Sequence, residues 1–438
     1  MNKKSKQHRL ENDTVYHELI HDIEKIIYDC RVSVFTHDFT YKPCHSSIEC
    51  HKTENASEIV FIPFTEEKSY RNILSIQISR DLSEFELKLI KELLKIYNVD
   101  IEKFPYYSHN DMWISLRNTR ILRVISRISV FPSENFMEWA DTMEKICRMS
   151  HEGESFSLNL FLLRNKNNIK IPKGGELIDL PTGIIRMDQL LSYKWIRAIA
   201  NDRDISLVAL NVSGVSSFVI IPTNNREKRF SNIHHSYDSL TSLVNNGVEL
   251  ISASNNNDLF IVLRGGNVFL NTRAGWRYYN IKPLESTIKR HTRSEKLSFL
   301  ISKLIFEKSF ERNGCIFCII DKKDYYKLVN PEKESFFKKN IGNRNIGNEI
   351  SYAMANKFSS IDGAVILSKE GDILGIACNL EVNSRINLEK KYAKKNKLIE
   401  GSRKNAAIES SRFGISICVS DDGPINVFEN GYLLYTID

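Results

Sequence analysis

The sequence predicts a multidomain protein of mixed α/β and α+β structure, and three observations lead to this fold class. A chain of 438 residues is too long for one hydrophobic core, because a domain holds about 150 residues. The apolar fraction of 42% and the charged fraction of 26% are those of a globular protein. Runs with strand alternation and runs with a helical apolar stripe follow one another along the chain. We expect an α/β domain with a mixed sheet in the last third, preceded by an α+β region.

Charge and cysteine content narrow the class of function. The 61 Lys and Arg residues outnumber the 54 Asp and Glu residues, which gives a formal net charge of +7. Such mild basicity favours anionic ligands but is too dispersed for a dedicated nucleic-acid-binding protein. The 8 cysteines are too few for a disulfide scaffold, and the N-terminal residues contain no apolar signal region. Because no apolar run approaches the ~20 residues that span a bilayer, we expect a cytoplasmic protein with no membrane partner. Because the positive charge is dispersed, we expect no specific nucleic-acid partner.

The N-terminal part is predicted to be a polar arm at residues 1–13 and an α+β domain at 14–108. A helix over 14–28 precedes short runs in which apolar and polar residues alternate, the pattern of half-buried strands. These predicted strands are Arg31–Phe35, Glu58–Phe64 and Ile73–Ser79. Ser83 and Glu86 have the spacing of a capping box, which predicts the start of an amphipathic helix.

Residues 109–290 are predicted to form a second α+β domain with a sensor-like role. A helix is expected at Ser133–Met149. The predicted strands are Phe156–Leu163, Ser206–Val212, Ser217–Ile221, Leu259–Leu263 and Val268–Leu270. Arg264–Asn267 contains two glycines and predicts the hairpin turn between the last two strands. The region has no obvious catalytic pattern, so its expected partner is a sensed ligand of unknown identity.

The last domain, residues 291–438, has the clearest helix and strand signals. Apolar residues recur at helical spacing from Leu297 to Ile305, and Gly314–Ile320 is a continuous apolar run typical of a buried strand. Further helices and strands are expected at Asn348–Phe358, Ala364–Leu367, Ile373–Leu380, Ser402–Arg412, Ile415–Val419, Ile425–Phe428 and Tyr432–Ile437. Gly414 has the position of a glycine that ends a helix. The order of these elements predicts a compact domain with a mixed sheet.

Three short segments of this domain carry groups suited to phosphate and a metal ion. Asp362-Gly363 places a carboxylate at the start of a strand, beside a glycine that allows a ligand close to the backbone. Gly401–Asn405 opens a helix with free N–H groups, a hydroxyl and cations, which suits phosphate. Ser420–Gly423 ends a strand with carboxylates that suit a divalent metal. Each segment alone is more often a turn or a solvated surface than a site.

Together and in this order, the segments resemble the diadenylate cyclase family, whose members condense two ATP molecules into cyclic di-AMP. The resemblance covers residues 292–438. Asp362-Gly363-Ala364 matches the family's Asp-Gly-Ala motif, and Gly401-Ser402-Arg403 matches the start of its Gly-Thr-Arg-His-Arg signature. Ser420 and Asp422 match a serine and an acidic residue at the end of a strand. Leu380 falls where the family presents a residue near the adenine.

The resemblance implies a role for each matched residue. Asp362 is expected to bind the metal and the attacking hydroxyl, Arg403 to act on the phosphates as the second catalytic residue, and Asp422 to support the metal. The metal is expected to be Mg²⁺ or Mn²⁺. The implied substrate-binding residues are Gly363, Ala364, Leu380, Gly401, Ser402, Lys404, Asn405 and Ser420. Because each ATP lies in a different subunit in this family, the resemblance implies a homo-oligomer in which two such domains meet face to face.

The sequence departs from the family signature at Lys404-Asn405, where the family has His-Arg. One positive phosphate contact is thereby lost, and a lysine cannot clamp two phosphate oxygens as a guanidinium does. Two functions therefore stay open. The first is a diadenylate cyclase regulated by the N-terminal region, and the alternative is a catalytically inactive nucleotide-binding sensor or interaction protein of the same fold.

Two histidine-containing patterns suggest metal sites elsewhere. His17–His21 matches the HExxH pattern of zinc metalloproteases but has no clear third ligand, so an ordinary amphipathic helix is favoured. Cys44-His45 and Cys50-His51 together could gather a metal. Their spacing matches no standard zinc knuckle, so a surface loop is favoured.

Two further patterns suggest redox or ligand-binding roles. Cys315 and Cys318 form a CxxC pattern, but they lie in an apolar run, which favours buried thiols over a redox pair. The aromatic and basic run Trp276–Tyr279 could contact a sensed ligand, although structural packing is favoured.

Overall fold

The chain divides into two compact units, Met1–Asn280 and Ile281–Asp438. The computed structural model describes residues 17–38, 47–53, 56–62, 70–78, 80–103, 111–131, 133–148, 150–151, 154–155, 157–181, 183–193, 195–196, 204–210, 214–221, 234–254, 257–272, 275–329, 344–381 and 401–437. The predicted arm at 1–13, the Cys44-His45 pair and residues 382–400, which precede the helix at Ser402, lie outside these ranges. Among the helices that are described, none is both long and apolar enough to cross a bilayer.

The first unit contains two main sheets with helices between them in the chain. Its elements are α1 (17–24), β1 (Cys30–Asp38), β2 (Ser47–Thr53), β3 (Ala56–Ile62), β4 (Tyr70–Ile78), α2 (Glu84–Lys103), α3 (Asp111–Ile128), α4 (Ser133–Cys147), β5 (Ser150–His151), β6 (Glu154–Ser155), β7 (Leu158–Leu163), β8 (Glu176–Asp179), β9 (Ile185–Arg186), β10 (Ile205–Leu210), β11 (Gly214–Ile220), α5 (Asp238–Thr241), β12 (Val248–Ala253), β13 (Leu259–Leu263), β14 (Asn267–Thr272) and β15 (Gly275–Tyr279).

The first sheet has four antiparallel strands in the order β1-β4-β3-β2. The three strands predicted from alternation are confirmed. Cys50 and His51 lie within β2, so the prediction of a surface loop there is wrong. The predicted capping box at the start of α2 is confirmed: the Ser83 N–H donates to Glu86 Oε2 at 2.9 Å, and the Glu86 N–H donates to Ser83 Oγ at 3.2 Å.

The second sheet runs in the order β15-β14-β13-β12-β7-β10-β11-β8, and β9 also pairs with β11. Only the β7–β10 pair is parallel among these described strands, so the sheet is mixed. The predicted strands and the turn at Arg264–Asn267 are confirmed. The structure adds α3 and β12, which the sequence patterns did not predict.

One hydrophobic core joins the helices and both halves of the first unit. It includes Ile23 of α1, Leu93 of α2, Ile125 of α3 and Leu160 of β7. The two α+β domains predicted on either side of residue 108 therefore share a core and form one compact unit. Trp276 to Tyr279 of β15 are all buried, which confirms structural packing for this run.

The second unit is an α/β domain built on one mixed sheet. Its elements are α6 (Lys282–Thr292), α7 (Glu295–Phe310), β16 (Cys315–Ile320), α8 (Tyr325–Leu328), α9 (Glu349–Phe358), β17 (Ala364–Ser368), β18 (Ile373–Cys378), α10 (Ser402–Ser410), β19 (Gly414–Val419), β20 (Ile425–Glu429) and β21 (Tyr432–Ile437). The strand order is β18-β17-β16-β19-β20-β21, and β16 and β17 are the parallel pair. The mixed sheet is confirmed, and the unit begins at Ile281, ten residues before the predicted start, because α6 belongs to it.

Gly414 does not have the helix-ending conformation that its position suggested. Its φ of 167° is extended backbone, and it begins β19 after a short 3₁₀ turn. A Cβ atom there would overlap the carbonyl oxygen of Ile319 on the neighbouring strand. The glycine is therefore required by the close approach of β19 to β16 rather than by a left-handed cap.

Candidate functional site

The sheet register brings two of the three sequence-predicted segments, together with Gly314, to one end of the second unit. Ile316 of β16 pairs with Ala364 of the parallel strand β17 and with Cys418 of the antiparallel strand β19. The residues before β16, the residues before β17 and the residues after β19 therefore lie at the same edge of the sheet. These residues are Gly314, Asp362-Gly363 and Ser420–Asp422.

Arg403 is the residue that connects these segments. Its Nη2 atom lies 3.8 Å from Asp362 Oδ1, and its Nη1 atom donates to Asp421 Oδ2 at 2.6 Å. Asp421 Oδ1 accepts a second hydrogen bond from the Gly314 N–H at 2.9 Å. Asp362 and Arg403 are therefore neighbours at this end of the sheet, and the Asp362 side chain is 93% exposed.

The position of Arg403 follows from the way α10 begins. Gly401 is the N-cap residue of α10. Its φ of 116° is positive, a conformation that would strain any residue with a side chain. As a glycine it has no side chain to cap the helix. Ser402 is exposed, while Lys404 and Asn405 are half-buried in the first turn. The Asn405 N–H donates to the Gly401 carbonyl at 3.2 Å. The helix thus begins without a capping side chain and projects Arg403 over the sheet edge.

Gly363 is required by a close approach between β17 and β18. Its φ is 123°, and a Cβ there would lie 2.6 Å from the carbonyl carbon of Ala377. Ala364 follows as the first, buried residue of β17 and pairs with Cys378. Leu380 forms an isolated bridge with Val329 just beyond the same end of β18. The close approach of the two strands therefore gives Gly363 a structural role, and the ligand access that the sequence suggested stays a prediction.

The turn at Ser420–Gly423 presents its two carboxylates differently. The Gly423 N–H donates to the Ser420 carbonyl at 2.9 Å, which closes the turn. Asp421 contacts Arg403 and Gly314, whereas the backbone carbonyl of Asp422 accepts from the Arg312 guanidinium. The Asp422 side chain is exposed. Sequence reasoning selected Asp422 and missed Asp421, Gly314 and Arg312 as parts of the site.

Charge complementarity dominates the electrostatics of the site. The hydrogen bond that the Arg403 guanidinium donates to Asp421 has the largest effect on its pKa and raises it. Burial opposes this rise, and the charges of Asp421 and Asp362 add to it. Burial raises the pKa of the Cys418 thiol to about 11 and that of the Cys315 thiol further. The cysteines near the site are therefore protonated, and Cys315 and Cys318 are free buried thiols, as predicted.

The donor set suits a metal ion that arrives with phosphates better than one held by protein alone. Within the described ranges, no group of three or more His, Cys, Asp or Glu side chains is placed to hold a metal. Asp362 lies beside the Arg403 cation, which disfavours a bare cation at that carboxylate. Mg²⁺ commonly uses one or two carboxylates together with substrate phosphates. Asp362 and Asp422 provide such carboxylates. Their role as metal ligands stays a prediction.

The HExxH pattern has a structural explanation in the first unit. Glu18 of α1 forms a 2.9 Å ion pair with Arg120, which is fully buried, while His17 and His21 are exposed. The central glutamate is thus engaged in packing α1 against α3. This contact favours the ordinary-helix interpretation of the pattern.

Comparison with known proteins adds no relative: no family profile matches the chain, and no curated protein matches it. The diadenylate cyclase resemblance therefore rests on the matched residues of the sequence alone.

Proposed function

We propose that this protein is a diadenylate cyclase-like nucleotidyltransferase that condenses two ATP molecules into cyclic di-AMP. The observation that carries the proposal is the meeting of Asp362, Arg403 and the Gly314 N–H at one exposed edge of the sheet. A carboxylate, a guanidinium and a backbone donor at one edge provide the groups needed to orient a hydroxyl and neutralise a triphosphate. The N-terminal unit is proposed to regulate this activity through a ligand of unknown identity.

The reaction needs alignment and charge stabilisation more than covalent chemistry by the protein. The 3′-hydroxyl oxygen of one ATP attacks the α-phosphorus of the other, the bond to the leaving pyrophosphate breaks, and the hydroxyl proton is released. A second, equivalent step closes the ring and releases a second pyrophosphate. Asp362 is proposed to orient the attacking hydroxyl, and Arg403 to stabilise charge that develops on the phosphate oxygens.

A divalent ion bound with the triphosphate would supply further charge neutralisation at the phosphates. Asp362 and Asp422 are the residues proposed to hold it. Ser402, Gly401 and the first turn of α10 are proposed to face the phosphates, and Leu380 the adenine. The high exposure of Asp362 leaves the site open to a second copy of the domain, as a face-to-face arrangement of two ATP-loaded subunits requires.

A direct product assay tests the proposal. Purified protein is incubated with ATP and Mn²⁺, and with GTP in parallel, and the dinucleotide is detected by mass spectrometry. We expect cyclic di-AMP from the wild type and a loss of at least about a hundredfold in Asp362→Asn, the scale of losing one catalytic carboxylate. The control is Asp321→Asn, which follows β16 at the opposite end of the sheet, pairs with Lys369 and is expected to keep wild-type activity. Absence of product from the wild type would sink the proposal.

A binding-only function is the second candidate, and Lys404-Asn405 favours it. If this function is correct, calorimetry detects ATP or cyclic di-AMP binding without any product over hours. The double variant Lys404→His, Asn405→Arg restores the family signature at two half-buried positions of the first turn. If these two residues alone prevent catalysis, the double variant is expected to gain turnover that the wild type lacks. If the wild type is already an active cyclase, the double variant is expected to change the rate of product formation only modestly.

A further inference from the structure

We infer that Asp421 acts as an internal anion that occupies the phosphate-binding position of this site and must be displaced when a substrate polyphosphate binds. The inference rests on the proposed function, because it concerns how the same site is regulated. It names a residue to which the family resemblance assigned no role.

Asp421 uses both carboxylate oxygens in the way a phosphate would. Oδ2 accepts from the Arg403 guanidinium at 2.6 Å, and Oδ1 accepts from the Gly314 N–H at 2.9 Å. A guanidinium with a backbone N–H is a common donor set for phosphate oxygens. The two donors that a substrate phosphate would need are therefore already satisfied by a side chain of the same domain.

The site has no room for a phosphate and the Asp421 carboxylate on the same donors. A Cβ atom on Gly314 would overlap both Arg403 Nη1 and Asp421 Oδ1, so the ion pair lies directly against the glycine backbone. An incoming anion can reach the Gly314 N–H only when the Asp421 carboxylate moves away. Binding is thus an exchange of one anion for another.

The turn that carries Asp421 allows this exchange. Its backbone is held independently of the carboxylate, by the Gly423 N–H to the Ser420 carbonyl and by Ser309 Oγ to the Gly423 carbonyl. The Asp421 side chain is 68% exposed, so it can rotate into solvent without rearranging the sheet. A partly exposed ion pair of this kind is weak enough for a multiply charged ligand to displace.

The neighbouring carboxylates do not share this position. Asp362 lies 3.8 Å from Arg403, beyond a good hydrogen bond, and it faces solvent. Asp422 contributes its backbone carbonyl to Arg312. Asp422 therefore offers a matched control, since Asp422→Asn removes the same charge from the same turn without removing an anion from Arg403.

The test measures the affinity of the protein for inorganic pyrophosphate by calorimetry in buffer that contains a metal chelator. The full-length wild type, Asp421→Asn and Asp422→Asn are compared, and thermal unfolding verifies that each is folded. We expect Asp421→Asn to bind pyrophosphate about threefold to tenfold more tightly than the wild type, because an amide competes poorly for the guanidinium. Asp422→Asn is expected to change the affinity less than about twofold through screened charge alone.

Three outcomes overturn the inference: weaker binding by Asp421→Asn, which means that the carboxylate positions Arg403; equal gains in both variants; or no binding by any form. The readout does not depend on turnover. If no form makes cyclic di-AMP but Asp421→Asn still binds pyrophosphate more tightly, the proposed reaction is wrong and the internal anion stands. If the wild type makes the product and Asp421→Asn binds pyrophosphate more weakly, the proposed reaction stands and the internal anion is wrong.

Discussion

Gly314, which precedes β16, lies directly against the charged side chains of the site. Its N–H donates to Asp421, and it lies against the end of Arg403. Since its φ is not among the positive values of the chain, alanine fits the backbone there, and the methyl group must instead displace two flexible side-chain ends. We predict that Gly314→Ala lowers cyclic di-AMP formation at least about tenfold while the free energy of unfolding changes by less than ~1 kcal/mol.

Gly347→Ala is the control for Gly314→Ala. Gly347 lies beside the turn between β17 and β18, where a Cβ would approach the Asn345 side chain at 3.0 Å, away from the charged edge. Product assays and urea unfolding of both variants separate the two effects. A Gly314→Ala protein with wild-type turnover would show that the position of Arg403 beside this glycine has no part in catalysis.

At the same residue scale, the sequence could indicate Asp362 and Arg403 but not Asp421. A carboxylate before a strand and a cation in the first turn of a helix are visible as local patterns. Which of two adjacent aspartates faces the site depends on the register of β19 against β16, where Val419 pairs with Cys315. That register is a long-range property, because it joins segments about a hundred residues apart.

The start of helix α2 combines its capping box with a buried ion-pair network. Glu86 is fully buried and accepts from the Arg80 guanidinium at 2.6 and 3.0 Å and from Asn280 Nδ2 at 2.9 Å. Arg80 also pairs with Asp29 at the start of β1. The network therefore connects α2 with both sheets of the first unit.

We predict that Glu86→Gln lowers the free energy of unfolding by about 3 kcal/mol, because it removes one charge of a buried pair and leaves Arg80 undercompensated. Urea unfolding followed by circular dichroism measures this change. Ser83→Ala, which removes the cap of α2 and one hydrogen bond to Glu86 but leaves the ion pair with Arg80, is expected to cost about 1 kcal/mol. Equal losses in the two variants would mean that the ion pair adds nothing beyond the cap.

Glu249 of β12 ends helix α3 by accepting two hydrogen bonds. Ser129 Oγ donates to its Oε2 at 2.5 Å, and the Val130 N–H donates to its Oε1 at 3.1 Å. Burial raises the pKa of this carboxyl above its ordinary value of 4.5, and the two hydrogen bonds oppose the rise. The folded protein therefore binds this proton more tightly than the unfolded chain does.

The sign of the resulting pH dependence follows from linkage. The stability that protonated Glu249 contributes is fully present below pH 4.5 and is lost as the pH rises through the raised pKa. We predict that the unfolding free energy of the wild type minus that of Glu249→Gln falls between pH 4.5 and neutral pH, by at most ~1.4 kcal/mol per pH unit. Denaturant titrations of both proteins at several pH values measure it, and a difference independent of pH would contradict the role of burial.

The elements that the sequence predicted are those whose buried face is apolar. The hairpin β13–β14 and the strands of the second unit follow from apolar runs, alternation and turn residues. Helix α3 was missed because Arg120, on its buried side, interrupts the apolar stripe. Arg120 is fully buried and donates to Tyr97 Oη and Glu18, so a polar network replaces apolar contact at that position. Periodicity cannot reveal a buried charge whose partners come from other helices.

At the scale of the whole molecule, the number of compact units depends on contacts that local patterns do not contain. The sequence shows a strong helix before residue 105 and new strands after it, which suggests a boundary. The structure instead joins α2 and β7 in one core, so the two α+β regions form one unit. The α/β unit was predictable because its strands are adjacent in sequence and its sheet is complete within it.

One copy of the α/β unit provides one set of Asp362 and Arg403, whereas the proposed reaction joins two ATP molecules. If each subunit presents one ATP, product formation per molecule of protein must fall on dilution as the face-to-face assembly dissociates. We expect the specific activity to decrease across a dilution series in step with the assembled fraction measured by sedimentation velocity. ATP binding per subunit, measured over the same series with a fluorescent analogue, is expected to stay constant, because each subunit holds its own nucleotide. A specific activity that is unchanged by dilution while the protein becomes monomeric would show that one subunit completes the reaction alone.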